Sequence, residues 1–280
     1  MRRFPSVLKL GLLTPFLLFL WSCQMENSLI FYPTSEMDGT PKELGLSYED
    51  IYFTTEDGVK LNGWFIPSSE GEFTLLWFHG NAGNISHRLQ NIRVLHEKVK
   101  THIFIIDYRG YGRSEGHVSE AGTYQDAEAA LHYLRTQRDI GLKRIVLFGR
   151  SLGAAVAVHL AVREDALALI LESPFGSIRE MAKVVFPFLP IGPFLRTQYD
   201  VLEKIKQARQ PVLVLHGDQD DIVPFAQGKK VFEAAPEPKE FYTIRGANHN
   251  NTFVVGGDPY FSVLRSFIER AAARTPRDPS

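Results

Sequence analysis

The stretch Ile145-Val146-Leu147-Phe148-Gly149-Arg150-Ser151-Leu152-Gly153-Ala154-Ala155-Val156-Ala157-Val158 joins a strand pattern to a helix pattern through one tight turn. A short apolar run without alternation suits a strand covered on both faces. The Ala- and Val-rich run after it reads as a helix. Between them, Gly149-Arg150-Ser151-Leu152-Gly153 is a G-x-S-x-G match. The five-residue pattern is weak alone, but strand–turn–helix is the setting in which a serine rides on a sharp elbow. Side chains at the two glycines would crowd such a turn. The helix start offers N–H groups and partial positive charge where an oxyanion could develop. The plainer alternative is a serine that caps a helix after a strand.

The same rhythm extends in both directions. Apolar runs at 73–78, 102–106, 144–148, 167–171, 211–215 and 240–244 alternate with helical patterns at 86–99, 123–138, 152–163, 225–234 and 259–271. Such alternation predicts βαβ units around a mostly parallel sheet, an α/β fold. Upstream, strand-like stretches at 48–53 and 60–67 flank Glu56-Asp57-Gly58, an Asp-Gly turn signal that predicts a β-hairpin. Residues 48–272 read as one domain. The interval 174–210 exceeds what a crossover needs, and its Phe-rich string carries Pro187, Pro190 and Pro193. It is expected to form a small lid that touches substrate, or else a surface excursion packed on the core.

The N-terminus has its own pattern. Arg2, Arg3 and Lys9 precede an uncharged apolar run over 10–21, too short to span a bilayer comfortably and interrupted by Pro15. The only cysteine, Cys23, follows directly, so no intramolecular disulfide can form. Leu20-Trp21-Ser22-Cys23 resembles the lipobox of bacterial lipoproteins, although Trp21 is large for its position. Residues 1–22 are therefore expected to be a lipoprotein-type signal peptide, with 23–47 an irregular lead-in. Cys23 would carry the lipid and hold the protein, facing the periplasm, at the outer membrane of a Gram-negative bacterium. The alternative is an ordinary signal peptide or short anchor with an incidental cysteine.

Lys plus Arg total 31 and Asp plus Glu total 32, so no basic excess points to nucleic acid. No close His or Cys cluster suggests a metal, and no phosphate-binding glycine motif suggests a nucleotide cofactor, so none is expected. A serine nucleophile needs a base. Two histidines follow Ser151 at plausible loop positions, His216 and His249. His159 falls inside the expected helix and should pack there. His249, in Gly246-Ala247-Asn248-His249-Asn250 after a strand-like run, is the candidate base; His216 should be bonded locally. The acid that orients the base lies among Asp218, Asp220 and Asp221, which spacing cannot rank. The others should cap the turn or the helix near Pro224. The backbone N–H groups of Asn81, in His79-Gly80-Asn81-Ala82-Gly83-Asn84, and of Leu152 are the candidate oxyanion donors. Arg109 is expected to pair with Asp107 or Glu172 beneath the site, and Arg150 to face away or to pair with an acid, the alternative being that it meets an anionic group of the substrate.

His79-Gly80-Asn81-Ala82-Gly83-Asn84, the run from Asp107 to Gly116 (DYRGYGRSEG), Gly149-Arg150-Ser151-Leu152-Gly153, Glu172-Ser173-Pro174-Phe175 and His216-Gly217-Asp218-Gln219-Asp220 together resemble the α/β-hydrolase superfamily, and within it the bem46-like group. The resemblance covers most of the chain after residue 48. It implies Ser151, Asp220 and His249 as a triad, Asn81 and Leu152 as oxyanion donors, and substrates that are carboxylic esters or thioesters. Three functions are weighed: a serine esterase working through an acyl-enzyme on an acyl-ester substrate, a peptidase or amidase with the same triad, and a non-catalytic lipoprotein that binds a partner with this fold.

Overall fold

The computed structural model describes residues 26–28, 30–188 and 195–274. The expected signal peptide, Cys23 and part of the expected lid (189–194) lie outside the described residues.

Eight strands form one sheet: β1 (Glu49–Thr54), β2 (Lys60–Ile66), β3 (Thr74–Phe78), β4 (His102–Ile106), β5 (Ile145–Arg150), β6 (Ala168–Glu172), β7 (Val212–Gly217) and β8 (Lys239–Ile244), in the order β1-β2-β4-β3-β5-β6-β7-β8. β1 and β2 are the hairpin, closed at Glu56-Asp57-Gly58, and β2 meets β4 antiparallel. Every pairing from β4 to β8 is parallel. Every residue of β3, β5, β6 and β7 is buried, whereas edge strand β1 alternates toward its end and β8 is largely half-buried. That explains why the central strands read as unbroken apolar runs.

The helices are α1 (Leu89–Val99), α2 (Glu120–Gln137), α3 (Leu152–Ala161), α4 (Ile178–Val185), α5 (Val201–Ile205), α6 (Phe225–Ala234) and α7 (Thr252–Arg274), the last bent at Gly257. Successive strand residues face opposite sides. Leu76, Phe78 and Leu147 join the core shared with α2, α3, α5 and α6; Leu75, Trp77, Val146 and Phe148 join the core shared with α1 and α7.

α3 is buried along its whole length. It sits so close to β3 and β5 that a methyl group on Gly153 would lie 1.9 Å from the Phe78 carbonyl oxygen, and one on Gly149 would lie 2.3 Å from the Gly153 carbonyl oxygen. Both contacts are with backbone, so neither neighbour can swing aside. Gly153→Ala is therefore expected to lower stability by roughly 2–3 kcal/mol through overpacking. Urea unfolding of the variant beside the parent checks this, and an unchanged midpoint would contradict the packing described. His159 packs within α3 as expected, its ring stacked on Tyr124 at 3.7 Å between centroids.

Candidate active site

Ser151 stands where β5 ends and α3 begins, with φ 52° and ψ −115°. A non-glycine residue with this backbone is strained by roughly 1–3 kcal/mol and persists only when its surroundings over-determine it. They do so here. The Ser151 N–H donates to the Glu172 carbonyl of β6 at 2.9 Å, and its own carbonyl accepts the Ala154 N–H at 3.0 Å. Leu152 is the first residue of α3, so its N–H has no carbonyl partner within its own helix.

Asp220 lies on the loop after β7 and His249 on the loop after β8, two adjacent parallel strands. The His249 Nδ1–H donates to Asp220, 2.8 Å from Oδ2 and 3.0 Å from Oδ1. That bond assigns the proton to Nδ1 and leaves Nε2 free to accept one. The Asp220 side chain is fully buried. It also faces His216 Nε2 at 3.2 Å and accepts the Val223 and Ile222 N–H groups at 2.8 and 3.1 Å. Burial disfavours charge on this carboxyl, but hydrogen bonds from His216 and His249 outweigh it and hold Asp220 well below the usual carboxylate range. His216 is bonded locally as expected, with Nε2 2.9 Å from the Val223 carbonyl oxygen. The turn before α6 is capped by Asp220 itself. Asp218 instead accepts the Gly246 N–H at 2.7 Å, and Asp221 is exposed.

Arg150 meets an acid. Its Nε donates to Glu172 at 3.0 Å, while Nη2 donates to the His249 carbonyl and to Asn250 Oδ1 at 3.3 Å. Glu172, wholly buried, also accepts Thr252 Oγ1 at 2.6 Å and Tyr260 Oη at 2.5 Å. This ties the residue before Ser151 to the backbone of His249 through one buried ion pair. The expected pairing of Arg109 is corrected. Its side chain turns away to α2 and the hairpin, meeting Asp126 at 2.8 Å and Asp57 at 2.8 and 3.0 Å, because Glu172 is taken by Arg150 and Asp107 accepts the Ile85 N–H at 2.9 Å. Ser114 braces the same loop by donating to the Asp107 carbonyl at 2.7 Å.

Asn81 follows β3. Its side-chain oxygen accepts Tyr111 Oη at 2.9 Å and the Tyr32 N–H at 3.3 Å, and its amide nitrogen donates to the Ile30 carbonyl. The side chain is thereby held away and the backbone path of the loop is set. Two of these partners come from the lead-in. Gly83 pairs with the same segment, donating to the Tyr32 carbonyl at 3.0 Å, and Asn84 Nδ2 donates to the Thr34 and Glu36 carbonyls at 2.9 and 2.6 Å. The lead-in thus braces the loop after β3. Sequence reading gave it no role, since its contacts are made by backbone groups that leave no residue signature.

A cavity of about 930 Å³ joins these parts. Gly80, Asn81, Ser151, Leu152 and His249 line it, as do Ile178, Met181, Ala182, Val185 and Phe186 from the excursion between β6 and β7. The structure therefore brings Ser151, His249, Asn81 and Leu152 to one surface, with Asp220 behind His249. Arg88, which the sequence reading passed over, lines it too. Among the described residues no group of His, Cys, Asp or Glu is arranged to hold a metal ion.

A parallel sheet carrying a serine on a strained strand-to-helix turn, with loops from the next strands converging above it, defines the α/β-hydrolase class of fold. The family model for serine aminopeptidase, S33, matches residues 72–192. The α/β-hydrolase domain-containing protein WAV2 of Arabidopsis thaliana is 40% identical over 254 residues, covering 83% of this chain and 82% of its own. Protein bem46 of Schizosaccharomyces pombe is 38% identical over 264 residues, covering 88% and 87%. The esterase Pf2001 of Pyrococcus furiosus superposes with a TM-score of 0.72 at 24% identity, over 86% of this chain and 98% of that one; the likeness is one of fold. The chain belongs to the α/β-hydrolase family that includes bem46 and WAV2.

Proposed function

We propose that the protein is a serine esterase. Ser151 Oγ attacks the ester carbonyl while His249 Nε2 takes its proton. The N–H groups of Asn81 and Leu152 hold the oxyanion, and Asp220 stabilises the imidazolium. His249 returns the proton to the leaving alcohol. Water then enters by the same route and releases the acid from the acyl-enzyme. The observation that carries this reading is the His249–Asp220 bond, which occupies Nδ1 and leaves Nε2 as the basic nitrogen of a histidine on the wall of the cavity that Ser151 also lines. The apolar wall from α4 favours an acyl chain, as an ester or a thioester. The test is turnover of p-nitrophenyl esters of increasing acyl length, with fluorophosphonate labelling mapped to a residue. Turnover with a chain-length optimum and a label on Ser151 is expected. A folded protein that shows neither is a binding protein with this fold. The match to the serine aminopeptidase family supports a second reading, amide hydrolysis with the same residues. Faster turnover of aminoacyl p-nitroanilides than of esters would select it.

Cys23 is proposed as a lipid attachment point and residues 1–22 as the signal that directs it. Among the described residues no helix is long and apolar enough to cross a membrane. Cys23→Ser is expected to shift the protein from the membrane to the soluble fraction and to remove a lipid-sized mass. Unchanged partitioning would sink the anchor.

A further inference from the structure

We infer that the Ser151 cavity contains a subsite for an oxyanionic group, built on Arg88 with the Nη1 edge of Arg150. The substrate is then an ester that carries both an apolar chain and a permanent negative charge, a substrate class that rests on the serine-hydrolase reading above.

Arg88 ends the short 3-10 turn Ile85–Arg88 that follows the Asn81 loop. Arg88, Arg150 and Ser151 line the same cavity. The two guanidinium groups differ in how their charge is met. Arg150 has Glu172 at 3.0 Å. Among the described residues Arg88 has no carboxylate partner; its Nη2 donates to the Ala82 carbonyl, beside Asn81, and its Nε is shut away from solvent with no acceptor. Neither nearby acid pairs with it, although the charge of Asp107 reaches Arg88 and partly offsets the effect of burial. Glu26, on the cavity wall, accepts the Arg196 and Thr197 N–H groups at 3.0 and 2.7 Å, and Asp107 accepts Ile85. Burial, with Arg150 adding to it, lowers the Arg88 pKa to about 10, so the group is still a cation at neutral pH.

The Arg88 guanidinium is half-exposed on the cavity wall, and among the described residues no carboxylate pairs with its charge, so an oxyanion in the cavity would meet a cation that lacks a counter-charge. Carboxylates and phosphates match its planar fork of donors, and charge-assisted bonds of this kind are about twice as strong as neutral ones. The subsite borders the reacting centre without coinciding with it. A methyl group on Gly80 would sit 3.5 Å from Ser151 Cβ and 3.8 Å from Arg150 Nη1, so the serine and a guanidinium edge flank the same point on that loop. The carbonyl oxygen that becomes negative during reaction has the Asn81 and Leu152 amides. The guanidinium groups suit a charge that the substrate brings with it. The rest of the wall, including Ile178, Met181, Val185 and Phe186, is apolar and suits the chain.

The test is calorimetric binding of hexyl phosphate, hexanoate and hexanol to the purified protein and to its Arg88→Gln and Arg88→Lys variants. At least one anion is expected to bind tenfold or more tightly than hexanol, and the stronger anion tells phosphate from carboxylate. Arg88→Gln should weaken that anion by about tenfold while leaving hexanol within about twofold, and Arg88→Lys should fall between. If Arg88→Gln does not fold, the anion preference of the parent and its decline in Arg88→Lys decide. Equal affinity for anion and alcohol, or unchanged anion affinity in the variants, overturns the subsite. Fluorophosphonate labelling of Ser151 separates this from the hydrolase reading. A labelled serine without anion preference removes only the subsite. Anion preference without a label keeps the subsite and removes the esterase.

Discussion

Ser151→Ala is expected to lower kcat for a p-nitrophenyl ester by roughly 10⁵- to 10⁶-fold, the scale on which a nucleophile acting as one unit with its base is lost. The position dictates the size of the effect. The elbow brings one hydroxyl to the end of β5 at φ 52°, beside the cavity that His249 and Asn81 also line. With the hydroxyl gone, the proposed amide donors and the cavity would still bind and polarise an ester, so a residual rate roughly 10³- to 10⁴-fold above water is expected. The fold should survive. Alanine meets the same backbone strain as serine, and the backbone bonds from residue 151 to Glu172 and Ala154 are untouched. Unfolding free energy should stay within about 1 kcal/mol of the parent. A variant that keeps kcat within tenfold would place the nucleophile elsewhere.

Glu172→Ala is expected to cost about 3–5 kcal/mol of stability, because it leaves the Arg150 guanidinium buried without its counter-charge. Three donors converge on this carboxylate, from Arg150, Thr252 and Tyr260. At the cited cost the melting temperature should fall by roughly 10 °C for a domain of this size. Turnover should fall as well in the fraction that stays folded, since Arg150 also holds the His249 carbonyl and so sets where the imidazole sits. Glu172→Gln can keep one acceptor oxygen for Arg150 and Thr252 and turns the other into an NH2 donor that the Tyr260 hydroxyl can accept, so it should lose less on both counts. Calorimetric melting with parallel ester kinetics reads both effects. A loss under about 1 kcal/mol in Glu172→Ala would show that the pair is not an important source of stability.

Much of the fold was legible because period and length carry it. Central strands buried on both faces read as unbroken apolar runs, and the helical pattern over 225–234 has the same bounds as α6. Boundaries moved where caps and turns decide them: α2 begins at Glu120, after Ser119 accepts the Gly122 N–H at 3.1 Å, not at Thr123. The last helix begins at Thr252, upstream of the expected Pro259, and bends at Gly257. At the site, G-x-S-x-G in its setting marked the serine, whereas three nearby aspartates could be ranked only by family resemblance.

What the sequence determined by itself was the architecture and the residue types of the candidate site: apolar periodicity sets which faces must be buried, and only glycine fits the crowded turn around Ser151. The tertiary structure decided the partners. Arg150 took Glu172 and left Asp126 and Asp57 to Arg109; Asp220, not its neighbours, faces His249; the lead-in came to brace Asn81; and Arg88 was left on the cavity wall with an idle donor. Each pairing joins residues that are distant in sequence or crowded among equivalents. Charge and hydrogen-bonding capacity are written in the residue types, but distance is set only once the strands are in register.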